Sequence, residues 1–482
     1  MDPRKKHSTD SRKSSSKPPE ILPPRDKCGV VGLRQSSGST IALTTYYALY
    51  ALQHRGQEGA GIVTHDGFQQ HAKKGLGLVG DVFSDEDLQN MAGNAAIGHI
   101  RYPTYGSINQ ESCHPFTVNT KRGSLALGHN GNLINADEVK SDLEENGHMF
   151  TTDSDTEVMV HELARNLLSY DIIQAIKKTM DKIEGAYSVT LLYNDTVIGI
   201  RDPHGIRPLC IGEIDGGHIV ASESVAIDVL EGNLIRDVKP GEVVVVEGGA
   251  VESYQLFNRS PSHCFFEHVY FSRPDSQVEG AIVYDTRRKL GQLLYKNHGV
   301  DTDIVSPVPD SGRSFATGYA EAGNLRFAES LMKNRYVGRT FIMPTQQQRQ
   351  TGVHLKLNPI RSNIRGKTVT LIDDSIVRGT TSKQLITMLR EKGAEEIHMR
   401  IGSPPIVSPC FLGIDMASEE ELIAHGRSIE DVRNKLGADS LDYLTIEEVS
   451  DALGTSLKHL CTGCVSGKYP VELPGYETDH SA

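Results

Sequence analysis

Fourteen residues constrain the fold of this chain more than any others. In Val369-Thr-Leu-Ile-Asp-Asp-Ser-Ile-Val-Arg-Gly-Thr-Thr-Ser382 an apolar strand pattern ends at Ile372, two carboxylates follow, and a Gly/Thr loop opens a helix. Asp373 and Asp374 therefore stand at the carboxyl end of a strand, where open α/β sheets bind ligands. The loop Ser375–Ser382 offers backbone N–H groups, hydroxyls and a helix N-terminus, which together suit a dianionic phosphate. The two carboxylates suit ribose hydroxyls and the neighbourhood of a Mg²⁺ ion. Gly-Lys-Ser/Thr is absent, so this is not a Walker loop. Taken alone, the segment also fits a solvated strand end followed by a capped helix.

The surrounding pattern decides the fold class of that half. After about residue 259, strand-like runs alternate with helical ones: Ile304–Val308, a helix near Ser314–Ala322, Thr368–Ile372, a helix near Ser382–Lys392, then Glu396–Ile401. Strand, loop, helix, strand is the signature of a mostly parallel sheet. From Cys28 to about residue 258 the texture differs. Ser124–Leu127, Val189–Tyr193 and Val243–Glu247 read as strands, and Tyr46–Gln53 and Thr156–Ser169 as helices. Asn130-Gly131 and Asp215-Gly216-Gly217 read as the turns between them. The expectation is thus a tail of 27 residues and two folded halves, 28–258 and 259–482.

Composition narrows the functional classes. No run of about 18 apolar residues is present, so no membrane-spanning helix is expected. Residues 1–27 are rich in Lys, Ser and Pro, with neither a secretory apolar core nor the acid-poor amphipathic pattern of an organelle presequence; a cytoplasmic protein is expected. That tail holds eight Lys/Arg against four Asp/Glu, which is +4, so the remainder of a chain of net charge -12 carries -16. So acidic a body argues against a nucleic-acid binder, while a local basic pocket for a phosphorylated small molecule stays compatible. Seven cysteines are too few for a disulfide framework and suit a reducing compartment, where paired spacings point to metal or catalysis.

Cys28 is the candidate nucleophile of the front half. If the tail is removed, its α-amine, with an ordinary pKa of about 7.7–8, can serve as base for its own thiol. Alone, Cys28 reads as a buried strand cysteine. Its company changes that: Gln53-His-Arg-Gly-Gln-Glu-Gly-Ala-Gly61 is a polar Gly-rich loop, and Gly98-His-Ile-Arg-Tyr-Pro-Thr104 offers an Arg at a turn. Gly128-His-Asn-Gly-Asn132 sets an amide side chain beside a flexible backbone N–H, and Thr152-Asp-Ser-Asp-Thr-Glu157 caps a helix. In this order the motifs resemble the class II glutamine amidotransferase domain, an N-terminal-nucleophile (Ntn) hydrolase with an αββα sandwich. The resemblance implies that Cys28 attacks the glutamine carboxamide and that Asn130 and Gly131 form the oxyanion hole. It further implies that Arg101, Thr104 and Asp155 bind glutamine.

The back half resembles type I phosphoribosyltransferases, α/β domains on a parallel sheet. Val308-Pro-Asp-Ser-Gly312 looks like their pyrophosphate loop, and Lys333 to Arg349 like the mobile loop that closes over phosphoribosyl pyrophosphate (PRPP). The resemblance implies PRPP contacts from Asp310, Ser311, Gly312, Lys333, Arg335, Arg339 and Arg349. It implies others from Asp373, Asp374, Ser375, Arg378, Gly379, Thr380, Thr381 and Ser382, with Mg²⁺ near Ser311, Asp373 and Asp374. Both halves in one chain, joined by Cys264-Phe-Phe-Glu-His-Val-Tyr-Phe-Ser-Arg-Pro-Asp-Ser276, are similar to the glutamine PRPP amidotransferase family. Its members make 5-phosphoribosylamine for purine synthesis, and the likeness implies a homotetramer inhibited by AMP and GMP.

Four further cysteines, Cys264, Cys410, Cys461 and Cys464, suit zinc or a [4Fe–4S] cluster, and spacing does not choose between them. The family resemblance implies the cluster, because one branch carries it at these positions together with a cleaved propeptide. Cys113 and Cys210 read as ordinary buried residues. The chain departs from the family pattern at Lys27, where an acidic residue is common, at Arg313 in place of a smaller residue, and at Tyr105. Other class II glutaminases carry sugar-isomerase or ATP-cleaving domains, which Asp373–Ser382 argues against. A non-catalytic nucleotide sensor, or an inert metal protein, would not need both Cys28 and the acid pair.

Overall fold

The computed structural model describes residues 28–36, 41–102, 110–334, 357–414, 416 and 418–473. The tail 1–27 lies outside them, as do Thr104, Tyr105, Arg335, Arg339 and Arg349.

Thirteen strands build the front half: β1 Gly29–Gln35, β2 Gly59–His65, β3 Gln70–Leu76, β4 Ala95–Arg101, β5 Phe116–Thr120, β6 Gly123–Leu133, β7 Gly185–Tyr193, β8 Thr196–Arg201, β9 Cys210–Ile214, β10 Gly217–Ala221, β11 Asn233–Asp237, β12 Glu242–Glu247 and β13 Ala250–Gln255. They form two antiparallel sheets, β11-β9-β10-β1-β4-β2-β3 and β13-β12-β8-β7-β6-β5. The valine run of β12 has no polar alternation because both its faces are covered. Val30, Ile97 and Val220 of one sheet meet Leu192, Val197 and Val244 of the other. Helix α1 (Ile41–Ala51) buries Ile41, Ala48 and Leu49 on the outside of the first sheet. Helices α2 (Asp155–Leu167) and α3 (Ile172–Lys182) cover the second. In α3, Ile172, Ile176 and Met180 recur at the helical spacing, and the Asp171 side chain caps the start by accepting from Gln174 N at 2.9 Å. The result is the αββα sandwich.

Asn130-Gly131 is not a turn. Both residues lie inside β6, paired with Ser188 and Tyr187 of β7. Turn chemistry is a local preference, and a fully paired strand with a buried face overrides it. Asp215-Gly216 does form the expected turn, between β9 and β10. Arg101, expected at a turn, is the last residue of β4.

In the back half, α4 (Val283–His298) precedes β14 (Ile304–Pro307). Then come α5 (Arg313–Gly323), β15 (Thr368–Asp373), α6 (Thr380–Glu391), β16 (Glu396–Ile401) and β17 (Ser440–Tyr443). The four strands are parallel, in the order β14-β15-β16-β17. Both faces of the sheet are covered: five of the six residues in each of β15 and β16 are buried, His398 and Arg400 among them. One core runs through the seam between the halves: Ala186 and Ile206 of the sandwich pack in the same cluster as Phe265, Phe315 and Leu412. No described helix is long and apolar enough to cross a membrane.

Asp237, at the end of β11, gives a measurable pH effect. Burial first, and the charge of Glu279 second, push its carboxyl up to about 6, although its Oδ2 accepts from Gly280 N at 3.1 Å. The folded state therefore holds this proton more tightly than the unfolded chain. Stability is lost as pH rises from about 4 to 6 and stays lower above that. Asp237→Asn keeps the acceptor and removes the charge. It should raise stability by about 1–2 kcal/mol at pH 7.5, after allowance for partial solvent contact, and by about half as much at pH 5. Thermal melts at the two pH values check both the sign and the trend.

Candidate active sites

Cys28 immediately precedes β1 and is 3% exposed. Continuing the β1–β4 register, in which Gly29 pairs with Ile100, sets Cys28 across from Arg101. Its carbonyl accepts from Arg55 Nε at 3.0 Å. Arg55 is wholly buried and grips Glu267 through Nη2 at 2.7 Å and Nη1 at 3.0 Å, and also pairs with Glu223. Burial opposes all three charges. For Glu223 the charges of His54 and then Arg55 outweigh that, and for Glu267 those of Arg55 and then Arg207, holding both carboxyls below the usual range; the two carboxylates in turn hold Arg55 above its own. Glu223 also accepts from Ser276 Oγ at 2.6 Å and Arg273 N at 2.9 Å. The junction segment is thereby tied to the residue that bears the thiol. Such a buried network costs about 3–5 kcal/mol to break at one partner. Sequence reading missed it: Arg55 and Glu267 lie in two quoted motifs, but 212 positions apart, and nothing local pairs them.

Asn130 is fully buried, and neither its Oδ1 nor its Nδ2 has a hydrogen-bond partner among the described residues. Buried amides are almost always satisfied, so both ends of this one are available to a bound group. Beside it, Gly131 has φ +151°, and an added Cβ would stand 1.9 Å from the Ala186 carbonyl oxygen. Only glycine fits. The carbonyl of His129 accepts from His99 Nε2 at 2.9 Å, which ties the strand of Asn130 to that of Arg101. Burial lowers the His99 pKa to about 3, so the ring is neutral when it donates. Asp155, at the first turn of α2, accepts from Leu133 N at 3.0 Å and lies 3.6 Å from His129 Nδ1. Burial pushes its carboxyl up, but His129 and these hydrogen bonds outweigh that and hold it below the usual range. Arg101 donates through Nη1 to Ser112 Oγ.

In the back half, Asp373 ends β15 and Asp374 follows, both buried. Burial, and next the charge of Asp374, push the Asp373 carboxyl well above its ordinary range. Asp374 N donates to Asp373 Oδ1 at 3.0 Å, and Ser375 Oγ to Asp374 Oδ2 at 2.7 Å. Gly379 precedes α6, and Thr380, Thr381 and Ser382 form its first turn. The neighbouring loop lies against the same strand end: Val308 N donates to Ile372 O at 2.8 Å, and Ser311 and Gly312 lead into α5. Lys333 pairs with Asp310 there, and Arg378 with Glu421 at 3.2 Å. Arg313 turns toward Glu329 and lies 3.8 Å from Asp310.

Cys264 and Cys461 are partners in a short parallel strand pair, and Cys464 and Cys410 join them in one buried cluster. Burial raises all four thiols, and neighbouring thiolates add to this for Cys264, Cys461 and Cys464; Cys264 is pushed up to about 12. Four thiolates here need a compensating positive charge. Arg207 is fully buried, 2.8 Å from Glu267, and its Nε and Nη1 have no partner among the described residues. No three His, Cys, Asp or Glu among the described residues are grouped so as to hold a metal ion. Cys113 and Cys210 are buried, and each thiol donates to a backbone carbonyl, of Gly75 and Ala221 respectively.

Comparison with known proteins supports both halves. The glutamine amidotransferase domain family matches residues 107–229. The Methanocaldococcus jannaschii protein named amidophosphoribosyltransferase is 46% identical over 92% of this chain and 98% of its own. Its Archaeoglobus fulgidus namesake is 47% identical, over 94% and 100%. A solved structure described as glutamine PRPP amidotransferase from B. subtilis, complexed with ADP and GMP, superposes with a TM-score of 0.87 at 44% identity, covering 92% of this chain and 98% of that one. Likeness of this degree, over nearly the full length of each relative, places the chain in the amidophosphoribosyltransferase family.

Proposed function

We propose that this chain hydrolyses glutamine at Cys28 and delivers the ammonia to PRPP at the acid pair, giving 5-phosphoribosylamine and pyrophosphate. The observation that carries the reading is the buried, unsatisfied Asn130 amide beside an obligate glycine, in a chain that also sets two carboxylates and a phosphate-type loop at one strand end. With residues 1–27 removed, the Cys28 α-amine takes the thiol proton and the thiolate attacks the carboxamide carbon. The Asn130 amide and the Gly131 N–H then hold the oxyanion, a contribution of about 3–4 kcal/mol per donor. Arg101 and Thr104 hold the glutamine α-carboxylate end, and Asp155, kept ionised, accepts from the α-ammonium. The amine returns its proton to the leaving ammonia, and water releases glutamate.

At the second centre, Asp373 and Asp374 bind the ribose hydroxyls. Ser375 to Ser382 cradle the 5-phosphate, and Asp310, Ser311, Gly312 and Lys333, with Arg335, Arg339 and Arg349, face the pyrophosphate. Asp373, Asp374 and Ser311 offer the hard oxygen ligands that would hold Mg²⁺, which would supply positive charge against the leaving pyrophosphate. Exclusion of water keeps PRPP for ammonia, which passes between the centres within the protein, since ammonium in bulk water is not a nucleophile. Cys264, Cys410, Cys461 and Cys464 would hold a [4Fe–4S] cluster, and the buried Arg207, whose charge acts on Cys264, would offset its negative charge. Zinc is the alternative, and metal analysis with visible absorbance of anaerobic protein separates the two. The B. subtilis relative's complex with ADP and GMP supports purine nucleotides, AMP and GMP, as feedback inhibitors here. The reading includes a homotetramer in the cytoplasm.

The test is glutamate release by anaerobically purified protein, with and without PRPP and Mg²⁺, beside the mass of the N-terminus. Release that rises strongly with PRPP, from protein beginning at Cys28, is the expected result. No release from protein with that N-terminus would refute the reading.

A further inference from the structure

The strand that carries the oxyanion donors is not held by the sandwich alone. Asn132 Nδ2 donates to the carbonyl of Phe411 at 3.0 Å, across 279 positions and from one half of the chain to the other. Two residues on, Gly413 has φ +94°, and a Cβ built there would lie 2.8 Å from the Gly131 Cα, 3.0 Å from its carbonyl carbon and 3.4 Å from Asn132 N. Gly131 is thus pressed from both sides, by the Ala186 carbonyl of β7 and by the backbone of Gly413. Neither side leaves room for one carbon.

The loop that does the pressing is itself anchored on its far side. Leu412 N donates to Cys410 Sγ at 3.4 Å, and the Phe411 ring meets the Tyr469 ring edge-on at 5.4 Å. Tyr469 donates to the Pro409 carbonyl. Val407 N and Ser408 N donate to the Cys464 carbonyl at 3.0 and 3.1 Å. A continuous set of contacts therefore runs from the four-cysteine cluster, through the loop Cys410–Gly413, to the backbone of Gly131.

We infer that the loop Cys410–Gly413 of the back half is a wall of the glutaminase centre, and that Gly413 and Asn132 are positioning residues that aim Asn130 and Gly131 at the oxyanion. The inference rests on the glutaminase reading above. It adds that the front half does not build its oxyanion hole unaided, and that the segment between two of the four cysteines sets its shape.

Gly413→Ala and Asn132→Ala test it, the second because it adds no atom to the packed loop, removing the tether and a 3.3 Å donation to the Leu133 carbonyl, and keeps the fold if the first does not. For each, glutamine hydrolysis is measured as kcat and KM, beside PRPP turnover with ammonia. Affinity for the aldehyde analogue of glutamine is measured too: its carbonyl carbon bonds to the Cys28 sulfur while the thiol proton passes to the oxygen. Gly413→Ala should lower the hydrolytic kcat about 10²-fold with KM little changed, as loss of one oxyanion donor does. Asn132→Ala should lower it about tenfold, the scale of one hydrogen bond. The aldehyde should lose affinity in proportion, and ammonia-dependent turnover should stay at the wild-type level. Hydrolysis unaffected, or both half-reactions falling together, overturns the inference alone. A wild-type chain that begins at Cys28 and releases no glutamate overturns the glutaminase reading, and this inference with it.

Discussion

Cys28→Ser should lose glutamine-dependent synthesis by about 10⁴-fold or more while ammonia-dependent synthesis stays near the wild-type rate. The change is nearly isosteric, and the Cys28 carbonyl keeps its bond to Arg55, so the fold has no reason to respond. What changes is the proton. A thiol with an ordinary pKa of about 8.5 is matched to an α-amine of about 7.7–8, and a hydroxyl is not. The second centre lies in the parallel sheet and does not contain this residue, so ammonia supplied in solution should still react there. Two assays on one preparation decide the matter. If both activities survive, Cys28 is not the nucleophile; if both vanish, the two centres are not separable in the way the sheets suggest.

Asp373→Asn should lower PRPP turnover from either nitrogen source by about 10²–10³-fold, a loss on the scale of an electrostatic group at a reacting centre. The amide fills the same space at the end of β15 and leaves Asp374 in place. Its effect on stability should have the opposite sign. Burial and Asp374 both oppose charge on Asp373, so replacing it removes a repulsion that the folded state otherwise carries. A variant that melts no lower than wild type yet barely turns over PRPP places the residue in the chemistry. Turnover near the wild-type rate would sink the assignment of the acid pair.

Legibility followed the range of the forces involved. The strand Glu396–Ile401 and the carboxylates at the end of the preceding strand could be read directly, because strand alternation and a helix-opening loop are local signals. Asn130-Gly131 was legible as chemistry and misread as geometry. Its dipeptide favours a turn, while the pairing with β7 that keeps it extended comes from more than fifty residues away. The ion network of Arg55, Glu223 and Glu267 and the contact of Gly413 on Gly131 were not legible at all. Each depends on halves of the chain meeting, and no spacing rule connects them. Asp155 was named as a glutamine contact through the family resemblance; its bonds within the protein, fixing Leu133 and facing His129, became evident only with the strand beside it.

The apolar seam has a consequence for anyone who would treat the chain as two interchangeable cassettes. Ala186 and Ile206 belong to the front sandwich yet are packed among Phe265, Phe315 and Leu412 of the back half. A chimera joined near residue 258 would inherit a foreign surface against that cluster, with gaps or clashes at each mismatched side chain. Such a graft should express poorly unless the Phe265–Phe271 and Cys410–Ile414 segments travel with the sandwich they were shaped to meet. Recombination and engineering alike are therefore steered to keep both halves from one parent, even though each reads as a self-sufficient module.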